Sequence, residues 1–178
     1  MFKSIVTPVL AILLATVVLL GMNWGLSDLR EAKAEAELNA ALLKLLPGST
    51  QFSPEEYTGE DANIRTVYKG DQGYVILTAT QGYAGPISVL IGVSNEGVVK
   101  GLQIREMSET YGLGWNALTD VEFLKQFLNT KGDAQVGSNV DAIAGATVTS
   151  KAVARCVNSA VAFVTGADAD SGATSWGG

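Results

Sequence analysis

The chain of 178 residues has no charged side chain from Ser4 to Ser27, and the heart of that stretch reads Ile5-Val6-Thr7-Pro8-Val9-Leu10-Ala11-Ile12-Leu13-Leu14-Ala15-Thr16-Val17-Val18-Leu19-Leu20-Gly21-Met22. As a helix these uncharged positions extend roughly 36 Å, enough to cross a hydrocarbon layer of about 30 Å. Residues 1–27 are therefore expected to form one transmembrane anchor. A cleavable signal peptide is the alternative, and Ala32-Lys33-Ala34 has the look of a cleavage site. The apolar run, however, exceeds the usual signal-peptide core of about 7–15 residues. Trp24 suits a membrane interface. Lys3 lies on one side of the run and Arg30 and Lys33 on the other, so charge does not choose the orientation.

Outside the anchor the chain is acidic. Lys3 is the only charged residue in 1–27, which leaves 11 of the 12 basic and all 18 acidic groups on about 150 residues, the size of one domain. That balance excludes a nucleic-acid partner, which needs a basic footprint. The absence of histidine excludes an imidazole base, a Ser-His-Asp triad and a His-held metal or haem. The lone Cys156 cannot close an internal disulfide or build a Cys-rich metal site. No metal site and no substrate-converting catalytic residue are expected, and any redox work must fall to a cofactor.

The fold expected for the remainder is α+β, an antiparallel sheet with packed helices. Residues 28–47 form a connecting helix: Ser27 caps it, acids fill its first turn, Leu38, Leu42, Leu45 and Leu46 make a packing stripe, and Pro47-Gly48 stops it. Residues 48–63 read as a loop. Strands follow at 74–80 and 87–93, and Ser94-Asn95-Glu96-Gly97 turns the chain into a hairpin with a strand from Val98 to Arg105. Thr119-Asp120-Val121-Glu122 is a capping box before a short helix. The last helix is expected from Thr149 or Ser150 to about Thr165, burying Val153, Val157, Ala160, Val161 and Val164 with Cys156 as a small core residue.

Chemistry gathers just before that helix, in Asp141-Ala142-Ile143-Ala144-Gly145-Ala146-Thr147-Val148-Thr149-Ser150. Glycine and hydroxyls at a helix start let backbone amides approach an anion such as a phosphate. A hydroxyl-rich N-cap that binds nothing is the other reading of the same residues.

The decapeptide resembles the flavinylation motif of the membrane FMN-binding domain family, Asp-x-x-Ser/Thr-Gly-Ala-Thr, with Ala144 in place of the usual hydroxyl residue. That family includes the G subunit of Rnf complexes and the C subunit of sodium-pumping NADH:quinone reductases. Two further stretches are similar to the family's: Gly82-Tyr83-Ala84-Gly85-Pro86-Ile87, and Glu109-Thr110-Tyr111-Gly112-Leu113-Gly114 with Tyr111 where proline is common. The resemblance spans residues 1–165. It implies FMN joined through its phosphate to Thr147 by a flavin transferase, with Gly145, Ala146, Thr149 and Ser150 around the attachment point. It also implies that Gly112 and Gly114 let the loop backbone pass close to the flavin ring. Leu113 and Tyr83 then give apolar contact, while Glu109 and Thr110 either orient the ring's polar edge or only close their own loop.

The function implied is that of a redox subunit of an ion-translocating, Rnf-type ferredoxin:NAD+ oxidoreductase. Its partners are other membrane and peripheral subunits, and its domain of residues 48–165 lies on the extracytoplasmic side of the inner membrane. Two alternatives stay open: the C subunit of a sodium-translocating NADH:quinone reductase, and a membrane-anchored flavin sensor or assembly module. Residues 166–178 are expected to be a flexible tail, whose second spelling of the motif ends at Thr174 but has no strand or helix to build a pocket.

Overall fold

The computed structural model describes residues 30–167 together with Thr16 and Gly21, and falls into two units parted between Ala40 and Ala41. The expected span at 1–27, apart from those two residues, and the tail motif ending at Thr174 lie outside the described residues. Among the described residues no helix is long and apolar enough to cross a membrane. In the first unit, residues 30–40 are helical and largely exposed, with Lys33 and Glu37 paired one turn apart at 3.8 Å. We call the helix over residues 30–45 α1; its last turn, from residue 41, belongs to the second unit.

The second unit is α+β, as the sequence implies. A five-stranded antiparallel meander runs β1 (Phe52–Glu55), β2 (Ile64–Gly70), β3 (Gly73–Gln81), β4 (Pro86–Ser94) and β5 (Val99–Met107), each strand beside its sequence neighbour. Two short helices, α2 (Gly114–Thr119) and α3 (Val121–Lys125), precede the long α4 (Thr147–Thr165). β4 is buried on both sides along most of its length, the pattern of a strand covered on each face. Its Ile87, Val89, Ile91 and Val93 share a core with Ile76 of β3 and with Val153, Val157, Ala160 and Val161 of α4. Cys156 belongs to this core, and burial pushes its thiol up to about 11, which keeps it neutral at physiological pH.

The opposite face is closed by the end of α1. Leu42, Leu45 and Leu46, three of the four residues of the expected leucine stripe, are buried. Across that face β4 and β5 pair Gly92 with Gly101, and the Leu45 backbone fills the space that side chains at both positions would take. The two glycines are thus a shallow seat for a helix end. Segment 131–140 is fastened to α4 by Asn158, whose amide accepts from the Ala134 N–H (3.1 Å) and donates to the Ala134 carbonyl (3.0 Å).

Four details depart from the sequence reading. β1 lies inside the stretch expected to be a loop; it is an exposed edge strand containing Pro54, with no apolar alternation to betray it. β2 carries no clean strand pattern in the sequence because a bulge between Ile64 and Thr66 breaks the period of two. The cap of α3 is Asp120, which accepts from the amides of Glu122 and Phe123, whereas the Thr119 hydroxyl closes the end of α2 on the carbonyls of Trp115 and Asn116. α4 begins at Thr147, two residues earlier than the first expected start.

A methyl group at the glycine seat has nowhere to go. Gly92→Ala is expected to lower unfolding stability by about 1–3 kcal/mol, the range for overpacking a filled site. Denaturant melts of wild type and variant check this, and equal midpoints would contradict the seat.

Candidate functional site

The segment before α4 is pinned at both ends. Upstream, Gln126 holds Asp141 by a two-way amide contact: the Asp141 N–H donates to Gln126 Oε1 (2.7 Å) and Gln126 Nε2 donates to the Asp141 carbonyl (3.3 Å). Downstream, the chain turns through Gly145, whose φ of +78° favours glycine, and the Ala146 N–H donates to the Ile143 carbonyl at 2.9 Å. Ser150 locks the turn. Its hydroxyl donates to the Ala146 carbonyl (2.9 Å) and accepts from the Ile143 N–H (3.4 Å), so this buried side chain serves the backbone of its own loop.

Thr147 is therefore the first residue of a 19-residue helix, exposed, with buried Ala146 at the cap position and no side chain capping the turn. The leading amides of such a helix have no intrahelical acceptor and carry the positive end of its dipole. Two residues on, Thr149 is 1% exposed and among the described residues its hydroxyl has no hydrogen-bond partner. A buried hydroxyl without a partner is costly unless something else supplies one.

Two loops meet this helix start. The β3–β4 loop is closed by the Gly82 N–H donating to the Gly85 carbonyl (2.9 Å) and holds up Tyr83, which is 71% exposed. The β5–α2 loop brings Glu109, whose carboxylate accepts from the amides of Tyr83 (2.8 Å) and Ala84 (3.4 Å). Further along it, the Thr110 carbonyl accepts from the amides of Leu113 and Trp115, both at 3.2 Å, so Thr110 acts through its backbone. The exposed Leu113 side chain reaches Gly145: a Cβ there would lie 3.1 Å from Leu113 Cδ2. Gly114 is buried, and a Cβ there would strike the Glu109 carboxylate and the Thr149 hydroxyl.

Glu109 thus bonds to the turn that carries Tyr83, Gly114 fits between Glu109 and Thr149, and Leu113 touches Gly145. Thr147 and Ala146 complete the group through the chain. Gly112, exposed with φ +85°, has open space around its missing Cβ. The sequence reading missed Gln126 and the exposed pair of Tyr111 and Trp115, whose rings lie 6.3 Å apart beside Leu113. Trp115 directly after Gly-Leu-Gly was the available clue.

Comparison with known proteins bears on this group. The FMN-binding domain family matches residues 82–162, which contain both loops and the helix start. The G subunit of the ion-translocating oxidoreductase complex of Methanosarcina acetivorans is 33% identical over 152 residues, covering 78% of this chain and 80% of that protein. The G subunit of the Na+-translocating ferredoxin:NAD+ oxidoreductase complex of Acetobacterium woodii is 41% identical over 98 residues, 50% of this chain and 47% of its own length. Its counterpart in the proton-translocating ferredoxin:NAD+ oxidoreductase complex of Clostridium ljungdahlii is 40% identical over 99 residues, 52% and 53% respectively. The chain thus spans about half the length of the latter two relatives.

Removing the Ser150 hydroxyl should loosen the turn without touching the core. Ser150→Ala is expected to cost about 1 kcal/mol, with hydrogen exchange at the Ile143 amide rising, and an unchanged melt and unchanged exchange would assign the hydroxyl elsewhere.

Proposed function

The chain belongs to the family of G subunits of ion-translocating oxidoreductase complexes, and from that premise we propose that it is an electron-transfer subunit of a membrane-bound, Rnf-type ferredoxin:NAD+ oxidoreductase, working through FMN joined to Thr147 by a phosphoester. The observation that carries this reading is the presentation of Thr147, an exposed hydroxyl at the uncapped start of a long helix, two residues after the left-handed Gly145.

The residues present fit that group. Leading amides of α4 suit phosphate oxygens. Leu113 and Tyr83, both exposed, offer apolar surface to a flat ring, and the unpartnered Thr149 hydroxyl offers a hydrogen bond. When bound, FMN supplies the electron-carrying chemistry that no side chain here provides. The protein's share is placement. Thr147 tethers, Gly145 keeps the backbone before it free of a side chain, and buried Ala146 and Ser150 hold the turn that presents it. No residue of the cluster is needed as an acid or base, in keeping with a redox subunit that relays electrons between neighbours.

The same reading assigns residues 1–27 to a retained anchor in the inner membrane and residues 28–47 to a connecting helix. Residues 48–165 form the flavin domain on the extracytoplasmic side, and 166–178 the tail. Other membrane and peripheral subunits are its partners, and a flavin transferase installs the cofactor. Relatives at 41% and 40% identity are named for sodium and for protons, so similarity to them assigns no coupling ion to this chain.

Two measurements test the proposal. Coexpressed with a flavin transferase, wild type should be heavier than Thr147→Ala by one FMN phosphoester adduct in intact mass, and an adduct retained in the variant would remove Thr147 from the role. Protease added to intact spheroplasts should digest the domain while cytoplasmic markers survive; full protection would reverse the orientation.

A further inference from the structure

We propose that Glu109 is a positioning residue that aims Tyr83 at the Thr147 site, its carboxylate clasping the β3–β4 turn to the β5–α2 loop; the proposal rests on the FMN reading above. Both carboxylate oxygens are engaged by backbone, Oε1 by the Tyr83 N–H at 2.8 Å and Oε2 by the Ala84 N–H at 3.4 Å. Hydrogen bonds to an ionised acceptor are about twice as strong as neutral ones, so this pair fixes the turn on which Tyr83 stands.

The clasp explains two glycines that lie far apart in the chain. A Cβ at Gly82 would fall on Glu109 Oε1, and one at Gly114 would fall on Oε2 while standing 2.8 Å from Thr149 Oγ1. Both glycines are buried. The carboxylate therefore occupies room left by two missing side chains, between the β3–β4 turn, the start of α2 and the first turn of α4. The Gly-Tyr-Ala-Gly-Pro and Glu-Thr-Tyr-Gly-Leu-Gly stretches are the two halves of one device. Glu109 is half-buried with both oxygens taken by backbone amides, whereas Tyr83 is 71% exposed. A group so placed acts on a bound ring through Tyr83 rather than by touching it.

The test has one arm with flavin and one without. In the full-length Thr147→Ala chain, which carries no adduct, adding Glu109→Ala should speed hydrogen exchange at the Tyr83 and Ala84 amides by at least about tenfold. Glu109→Gln, which keeps one acceptor oxygen, should protect one of the two amides and lose the other. In the flavin-loaded chain, Tyr83→Ala should shift the flavin midpoint potential, and Glu109→Ala should shift it in the same direction. The double variant should shift it no further than Tyr83→Ala alone, because a residue acting through Tyr83 has no effect once the ring is gone. If Glu109→Ala fails to fold, Glu109→Gln takes its place in both arms with the same expected ordering. Unchanged exchange at both amides, additive shifts in the double variant, or a Tyr83→Ala potential equal to wild type would each overturn the proposal. A wild-type chain that accepts no FMN would instead sink the flavin reading, and the exchange arm would still decide the clasp.

Discussion

Burial of β4 on both faces is the constraint from which the rest of the domain follows. A strand whose inward and outward side chains are both apolar needs a cover on each side, and the chain supplies two very different ones. α4 lays a stripe of valines and alanines across β3 and β4, while on the other face a single turn of α1 sits in the seat made by Gly92 and Gly101. Because α4 is fixed along the sheet by Val153, Val157 and Val161, its N-terminus has no freedom to wander. It arrives where the β3–β4 and β5–α2 loops leave the same end of the sheet, and the cluster around Thr147 is the product of that registration.

Much of this was legible in the residues, and what was hidden was hidden for identifiable reasons. β3, β4 and β5 announced themselves through β-branched runs bounded by glycine and turns, and the valine stripe of α4 through its helical spacing. β1 and β2 stayed silent because one is an exposed edge with proline and the other is bulged, so neither presents a clean alternation. The sequence points to a later start for α4 because hydroxyl residues favour cap positions, whereas buried Ala146 takes that place and the Ser150 hydroxyl bonds back to its carbonyl. At the site, motif resemblance singles out the two loops and the helix start that the structure brings together. It could not reveal that Glu109 bonds across to Tyr83 and Ala84, since no local pattern links residues some 25 positions apart.

The cluster also separates two kinds of glycine that a sequence renders alike. Gly145 is required by its backbone angle, in the left-handed region that other residues enter at a cost. Gly82, Gly92 and Gly114 are required by what lies against them: a carboxylate in two cases, the end of a helix in the third. The first kind sets the path of the chain; the second sets how closely separate segments approach.

The meander has a consequence for the order of events in synthesis. Every strand pairs only with its neighbour in sequence, so the sheet assembles from successive local hairpins as the chain lengthens. α4, by contrast, follows all five strands in the chain and packs back on β3 and β4. Its helix start gains the surrounding loops only once the hairpins are in place. Thr147 in its final setting is thus a mark of a formed sheet: the residue reaches its loops only after the strands that carry them have paired.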